Sequence, residues 1–412
     1  MTVLSRDIII VGAGVIGLSA AYQLARRTSA KILVLEKGAG LGEGSTGASS
    51  AVCRFRYSRD EMVELAKDGI RAYQNWGDFL ELSEPLARFH KAGVIWIGSQ
   101  FGTSDEVARL KRLGVSATQL SDEDVEENFP AISPCTVLPD LLNGDPHECR
   151  SGEGYVLEND GGYIEPTDVL EDLLVAVRRK GVEVRFRSRV ADIPTVSGRI
   201  AGVVLADGTR YSCGSVVNAS GPWCNQLLER VGLAERWPLR PTRIQIAQVD
   251  IPEDMLGNIP VCGDMLGGVY FRPQGRRKHL IIGSVMPQDE LERVDNPDDF
   301  DRSADDDFVR AKLHALQHRM PSLAALRGVR GYSGLYTMNL ADVHPLVGKT
   351  PVHGFFVANG CSGHGFKLAP AIGSLIAQAL DGGKIAGDTG VDGHFLSFDR
   401  DPIELAQQSV LA

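Results

Sequence analysis

The sequence predicts an α/β fold, built on a parallel β-sheet into which antiparallel strands are inserted. Short apolar runs occur at Ile8–Val11, at Ile32–Leu35, at the start of residues 215–223 and within residues 354–359; the second ends at Glu36 and the others lead into small residues. Such runs are typical of strands buried on both faces of a parallel sheet. Between residues 225 and 331 the strand patterns instead alternate or pair, as antiparallel elements do. The chain therefore carries two kinds of sheet.

The first apolar run leads into three glycines at the spacing G-x-G-x-x-G. Gly12 permits a tight turn, Gly14 lets the backbone approach a pyrophosphate, and Gly17 lets the following helix lie close to the strand. The helix is predicted over residues 15–27, and its unpaired N–H groups would face the phosphates. Strand, turn and helix occur in the order that a Rossmann-type dinucleotide site requires.

The second apolar run supports the same site because it ends at Glu36. A carboxylate at this place accepts hydrogen bonds from the ribose hydroxyls of the adenosine. Residues 8–25 are uncharged, but glycines, Ser19 and Gln23 interrupt them and no basic region precedes them. We therefore predict neither a signal peptide nor a membrane span.

The composition limits the partners and the compartment. The chain has 412 residues and a net charge of −10 without a basic patch, so nucleic acid is not predicted as a partner. Seven cysteines without C-x-x-C spacing indicate reduced thiols and a cytoplasmic protein. Cys135, His147 and Cys149 lack a fourth ligand, so no metal site is predicted.

A glycine- and serine-rich segment, residues 38–50, follows Glu36 and precedes Arg54 and Arg56. Its small residues allow backbone N–H groups to approach a ligand, although a flexible surface loop has the same composition. The two arginines are candidate ligands for an anion. Solvent exposure or a structural salt bridge is the alternative for both.

A second strand, turn and helix N-terminus occurs near the C-terminus. Phe355–Asn359 leads into GCSGHGFK, residues 360–367, and an amphipathic helix is predicted over residues 368–380. Two helix dipoles suit a ligand with two anionic regions, and a reduced flavin ring becomes negative around N1 whereas a reduced nicotinamide is neutral. This favours FAD over NAD.

Residues 289–307 are crowded with aspartate and glutamate. A solvated loop is the simpler interpretation of such a run, and a docking face for a basic partner is the alternative.

Four motifs together resemble the D-amino-acid oxidase superfamily, and within it the branch of sarcosine oxidase, glycine oxidase and dimethylglycine dehydrogenase. They are VGAGVIGLSAAYQLA…VLEK, GSTGASS, VVNASGPW and ANGCSGHGFKLAPAIG, within residues 7–380. The resemblance implies a Rossmann-type FAD-binding domain from residues 1–82, 150–224 and 332–394. A discontinuous antiparallel-sheet substrate domain would comprise 83–149 and 225–331, with a C-terminal tail at 395–412.

The resemblance also implies the site residues. For the substrate carboxylate it implies Lys367 with either Arg54 or Arg56, and His364 lies along the flavin edge. The residues expected to contact FAD are Gly12, Gly14, Val15, Ile16, Gly17, Glu36, Lys37, Ser45, Thr46, Ala48, Ser49, Val190, Ala219, Gly221, Trp223, Gly334, Gly363, His364, Gly365, Phe366 and Lys367.

Two departures from the family pattern modify this expectation. Gly334 stands where sarcosine oxidase has the cysteine that bonds its flavin, and GSTGASS lacks the tethering histidine of the dimethylglycine branch, so FAD is predicted to be non-covalent. Residues 283–290, GSVMPQDE, lack the oxygen-activating lysine of sarcosine oxidase. Oxygen, a quinone or an electron-transfer protein therefore remain as acceptors, with slow oxygen reactivity expected.

The predicted function is FAD-dependent oxidation of the C–N bond of a small amino acid or secondary amine, by hydride transfer to flavin N5. An alternative enzyme on the same fold is a 2-hydroxyacid dehydrogenase, which needs a base such as His364 or His344. A flavin-bearing assembly protein without turnover is the alternative of another class.

Overall fold

The computed structural model describes residues 3–98, 103–136, 154–252, 259–275, 278–323 and 325–405. A six-stranded sheet forms its first layer, and all but its first strand run parallel. The strand order is Leu346–Lys349, Phe355–Asn359, Ser215–Asn218, Ile8–Val11, Ile32–Leu35, Glu183–Arg185. Apolar side chains fill both faces of the central strands, which explains their unbroken hydrophobic runs.

An eight-stranded sheet forms the second layer, and every pair in it is antiparallel except one. The parallel pair joins Val261–Asp264 to Val94–Ile97. The strand order is Arg330–Asn339, Leu239–Asp250, His279–Ser284, Val269–Gln274, Val261–Asp264, Val94–Ile97, Tyr155–Glu158, Ala117–Leu120.

Helices cover these sheets, and small strands connect them. Over the described residues the α-helices are α1 Val15–Ala25, α2 Asp60–Gln74, α3 Trp76–Leu80, α4 Thr103–Arg112, α5 Asp122–Asn128, α6 Pro166–Arg179, α7 Cys224–Arg230, α8 Asp306–Arg319 and α9 Gly365–Asp381. Short 3₁₀ helices are Gly221–Trp223, Ala234–Arg236, Pro287–Glu290 and Gly393–Leu396. The remaining strands are Leu4–Ser5, Val52–Cys53, Gly162–Tyr163, Val190–Asp192, Thr195–Val196, Arg199–Ile200, Gly202–Leu205 and Arg210–Ser212.

The predicted α/β fold class, with a Rossmann-type part and an antiparallel sheet, is confirmed. The sheets differ from the predicted segments in two places. Tyr155–Glu158 and Arg330–Asn339 belong to the eight-stranded sheet, although the expected boundaries place 150–224 and most of 330–339 with the flavin-binding part. The reason lies in long-range pairing: Arg330–Asn339 pairs with Leu239–Asp250 from Leu239 opposite Asn339 to Gln248 opposite Arg330.

The prediction that all cysteines are reduced is wrong, because Cys135 is disulfide-bonded. Disulfide pairing depends on the spatial approach of residues that sequence spacing does not reveal. A Cys135 thiolate is therefore not available to a metal, and His147 and Cys149 lie outside the described residues. Among those residues no cluster of metal-binding side chains occurs, and no helix combines the length and apolarity needed to cross a membrane.

Candidate active site

A cavity of about 430 Å³ opens beyond the last residues of the parallel strands Ile8–Val11 and Ile32–Leu35. Sixteen of the predicted cofactor residues line it. They are Gly12, Gly14, Val15, Ile16, Glu36, Lys37, Ser45, Thr46, Ser49, Val190, Ala219, Gly221, Trp223, Gly363, Gly365 and Phe366. Sequence segments from both ends of the chain thus meet at one cavity.

Each glycine around the start of α1 is required or allowed for a different structural reason. Gly12 has a φ of +108°, and a Cβ there would stand 2.5 Å from the Ala219 carbonyl oxygen. A Cβ on Gly17 would stand 2.0 Å from the Gly12 carbonyl oxygen, so Gly17 serves helix packing and does not line the cavity. Gly14 is open by comparison, since a Cβ would meet only the Thr46 hydroxyl at 3.2 Å. Gly14 therefore has space that a ligand can use.

Two polar side chains fix the backbone around this turn. Glu36 accepts hydrogen bonds from the N–H of Ala13 at 2.9 Å and of Gly38 at 2.7 Å. Thr46 Oγ1 accepts from the N–H of Val15, the first residue of α1, at 3.2 Å. Helix α9 also begins at the cavity, at Gly365. The cavity therefore joins two helix N-termini to a carboxylate, which fits the anionic regions and the ribose of FAD.

Five predicted cofactor residues do not line this cavity. Gly17 packs as described, and Ala48 and Gly334 face an adjoining cavity of about 390 Å³, where a Cβ on Gly334 would stand 2.6 Å from that of Ala48. Lys367 lines a third, smaller cavity, and His364 lines none of the three.

The third cavity has a volume of about 80 Å³ and adjoins the first one. Ser49, Tyr336, Gly363 and Phe366 line both. Two of these shared residues, Gly363 and Phe366, lie at the start of α9, so the two cavities adjoin at the C-terminal glycine-rich motif. Two cations line the small cavity, Arg54 and Lys367, and they are 5% and 6% exposed.

The structure separates the two candidate arginines. Arg54 lines the small cavity, with its guanidinium carbon 4.3 Å from the ring centroid of Tyr57. Arg56 lines none of the three cavities and forms an ion pair with Glu106 at 3.5 Å. The role of substrate ligand therefore fits Arg54, and Arg56 has the structural salt bridge that its sequence also allowed.

A buried carboxylate holds the segment that carries both arginines. Glu158 is fully buried and accepts hydrogen bonds from the N–H groups of Phe55 at 2.7 Å and Arg56 at 2.9 Å. It also accepts from the indole N–H of Trp96 at 2.9 Å. Burial raises the pKa of Glu158, while the N–H donors and the nearby Arg54 lower it.

The surroundings of Lys367 strongly change its pKa. Burial lowers the pKa of Lys367 to about 7, and the positive charge of Arg54 contributes in the same direction. Its ammonium nitrogen lies 5.8 Å from the Tyr57 ring centroid. Near neutral pH this lysine therefore exists in both protonation states.

His364, expected along the flavin edge, does not line the cofactor cavity, although its neighbours Gly363 and Gly365 do. His364 is 1% exposed, and its Nδ1 lies 3.3 Å from the Tyr57 hydroxyl, away from the cavity linings. Burial, with Lys367 and Arg54 nearby, places the pKa of His364 well below its usual value. His344 is also buried, and its Nδ1 lies 2.6 Å from the Asp342 carbonyl oxygen. Neither histidine is among the residues that line the small cavity.

Sequence reasoning missed several residues of the small cavity, including Trp96 and Tyr270. It also found no lysine near residues 283–290, whereas α8 brings Lys312 to this segment. The Lys312 ammonium nitrogen lies 2.7 Å from Asp289 Oδ2 and 2.9 Å from Ser284 Oγ. No local pattern identifies such neighbours, because they come from separate elements.

The acidic stretch 289–307 forms ion pairs within the chain. Asp289 binds Lys312, and Asp298 binds Lys37 and Arg189. Arg243 binds Glu292 at 2.7 Å and Asp305 at 2.9 Å. Less negative charge is therefore available to a basic partner than the sequence indicates.

With its α/β fold, its dinucleotide-type cavity and its adjoining cationic cavity, the chain belongs to the DAO family of FAD-dependent oxidoreductases. The family model "FAD dependent oxidoreductase" matches residues 7–379. The protein is accordingly an FAD-dependent enzyme, as the sequence predicts.

The chain is similar to several known proteins over most of its length. The chain is 28% identical to the "FAD-dependent oxidoreductase domain-containing protein 1" of Bos taurus, over 96% of this chain and 83% of that one. It is 27% identical to the "Peroxisomal sarcosine oxidase" of Homo sapiens, over 90% and 91%. The crystal structure of the L-proline dehydrogenase from P. horikoshii has the same fold, with a TM-score of 0.80 at 20% identity over 96% and 98%.

Proposed function

We propose that the protein oxidises the C–N bond of a small amino acid or secondary amine that carries a carboxylate. The observation that carries this proposal is the pair Arg54 and Lys367, both lining a small cavity that adjoins the cofactor cavity at the start of α9. The printed names of the relatives, such as sarcosine oxidase, support the same substrate class.

The chain's own residues orient the substrate. A carboxylate between the Arg54 guanidinium and the Lys367 ammonium would receive charge-assisted hydrogen bonds in a site that excludes most water. This would fix which carbon faces the cofactor cavity, and positioning of this kind lowers the barrier to transfer. FAD held by the cofactor-cavity residues would supply the two-electron acceptor for a hydride from the carbon next to nitrogen, and the resulting iminium would be hydrolysed by water.

The cavity size also limits the substrate. A volume of about 80 Å³, with the rings of Trp96, Tyr270 and Tyr336 in the lining, favours a small amine. A 2-hydroxyacid dehydrogenase needs a base beside the substrate. His364 and His344 do not line the cavity, so the structure gives this alternative no support.

We further propose that a quinone or an electron-transfer protein reoxidises the enzyme faster than oxygen does. Oxygen reduction needs a cation to stabilise the developing superoxide-like anion. Lys312 is neutralised by Asp289, and Glu290 adds a negative charge to the lining, which leaves Lys367 and Arg54. Stopped-flow reoxidation in air-saturated buffer tests this: oxygen alone sustaining full turnover would contradict it.

Anaerobic flavin bleaching tests the main proposal. Candidate substrates are N-methyl amino acids, D-amino acids, L-proline, matched amines without a carboxylate, and 2-hydroxyacids. We expect bleaching by at least one carboxylated amine and slower bleaching by its decarboxylated analogue. Bleaching by hydroxyacids alone would favour the dehydrogenase alternative, and no bleaching by any compound would favour a protein without turnover.

A further inference from the structure

Asp298 joins three residues that line the cofactor cavity. Its Oδ1 accepts a hydrogen bond from the Trp223 indole N–H at 2.9 Å and contacts the Lys37 ammonium. Its Oδ2 accepts from Arg189 at 2.9 Å. The Lys37 nitrogen also lies 3.6 Å from the Trp223 ring centroid. Trp223, Lys37 and Arg189 all line the cavity, and Lys37 follows Glu36 directly.

The segment that carries Asp298 is attached at both ends to the eight-stranded sheet. At one end the N–H of Arg243 donates to the Glu292 carbonyl oxygen, and the N–H of Val294 donates to that of Pro241. At the other end the Arg243 guanidinium donates to the carbonyl oxygens of Asp301 at 2.9 Å and Ser303 at 2.7 Å. Residues 291–305, named here the cofactor strap, therefore extend from one sheet and contact elements of the other through Asp298.

We propose that the cofactor strap retains FAD, with Asp298 as the latch at its tip. Breaking the Asp298 contacts would detach Lys37, Arg189 and Trp223 from the strap, and all three line the cofactor cavity, whose lining also includes Glu36. The strap thus controls cofactor release through these three lining residues, whereas Lys367 lines the small cavity. This role is separate from substrate chemistry.

The chemistry of the latch predicts a response to salt. The side chains of Asp298 and Lys37 are each 31% exposed, and that of Arg189 is 47% exposed. Ion pairs this accessible to water are weakened by screening. FAD release from the wild-type protein should therefore accelerate as salt increases, and a protein without the Asp298 charge should respond less.

The test compares Asp298→Asn with Asp299→Asn in the FAD-loaded protein. Asp299 is the adjacent exposed carboxylate and takes no part in the three latch contacts, so this variant has the same change in net charge. The FAD dissociation rate is measured by the rise of free-flavin fluorescence after dilution, at low and high salt. We expect Asp298→Asn to release FAD roughly three- to tenfold faster at low salt, and Asp299→Asn to match the wild type.

Three results would overturn the proposal. Equal release rates in wild type and Asp298→Asn exclude a latch. Equal acceleration in both variants indicates a general charge effect. Slower release from Asp298→Asn indicates that Asp298 competes with the cofactor for Lys37 and Arg189. The second variant, Trp223→Phe, removes the indole N–H that donates to Asp298 and keeps a smaller aromatic ring, and it should accelerate release less than Asp298→Asn does.

Discussion

At the scale of single residues, a few side chains combine burial with charge, and their chemistry follows from that combination. Lys367 and Arg54 are almost fully buried next to each other. The positive charge of Arg54 lowers the pKa of Lys367, and an anion bound between the two cations would offset this effect. This is the electrostatic basis for the carboxylate site that we propose.

The first prediction concerns Lys367→Met. Losing one charge-assisted hydrogen bond to a buried carboxylate costs about 1.5–3 kcal/mol, or about ten- to a hundredfold in binding. We expect this loss in the apparent Kd of carboxylated amines, read by flavin bleaching, and little change for amines without a carboxylate. Equal weakening of both classes would assign the lysine to the flavin alone.

The pH dependence supplies a second prediction for the same residue. Because the pKa of Lys367 is lowered to about 7, the ammonium form is present below that pH and is lost above it. The Kd of a non-reactive carboxylate such as acetate should therefore rise as pH increases through about 7, with the midpoint shifted upward when the ligand is bound. Lys367→Met should remove this dependence, and its persistence in the variant would point to another group.

Two glycines of the first turn give a matched pair of variants. A Cβ at position 14 would meet only the Thr46 hydroxyl, so we expect Gly14→Val to fold and lose FAD. In Gly17→Val the side chain would overlap the Gly12 carbonyl oxygen, so folding itself should fail. Circular dichroism and flavin content separate the two effects. FAD retained by Gly14→Val would contradict the assignment of this turn to the cofactor.

At the scale of elements, strand Tyr155–Glu158 holds the segment Arg54–Tyr57 through hydrogen bonds to Glu158. The Arg54–Tyr57 stretch has no helix or strand of its own in the described structure, and Glu158 accepts two of its backbone N–H groups. Removing a buried acceptor leaves those donors unpaired, which costs more than the hydrogen bonds contribute.

We therefore expect Glu158→Ala to lower the free energy of unfolding by about 3–5 kcal/mol and to weaken binding of carboxylated substrates. Glu158→Gln keeps an acceptor oxygen and should fall between wild type and Glu158→Ala. Urea unfolding of the FAD-loaded proteins provides the measurement. A Glu158→Ala protein as stable as the wild type would show that water replaces the lost contacts.

At the scale of the whole molecule, the cofactor cavity is enclosed by elements far apart in the chain. The lining residues come from within the segments 11–49, 188–227, 335–337 and 358–366, together with Arg302 of the cofactor strap. A ligand bound there therefore stabilises the folded chain as a unit.

The last prediction follows from this arrangement and from Gly334. We expect FAD to bind without a covalent bond, to be released on acid precipitation, and to raise stability by about 2.7 kcal/mol at a free concentration of 100 times its Kd. Thermal unfolding with added FAD measures the stabilisation, and absorbance of the supernatant measures the release. Yellow colour that stays with the precipitated chain would contradict the prediction.

The sequence alone determined the parts whose signals are local. Gly12 and Gly17 identify a turn because backbone conformation and close packing there admit no side chain, and Gly14 leaves space that a ligand can use. Glu36 follows at a fixed place after a buried strand. The second glycine-rich turn before α9 is encoded in the same way. These patterns predicted the fold class, the cofactor and sixteen of the residues that line the cofactor cavity.

Tertiary structure decided the contacts between residues far apart in the chain. Arg54 and Arg56 are indistinguishable in sequence, and only the direction of each side chain assigns one to the cavity and the other to Glu106. The burial of His364 and the approach of Asp298 to Lys37, 261 residues away, have the same origin. Local sequence encodes backbone conformation and periodicity, whereas these contacts depend on how distant elements pack.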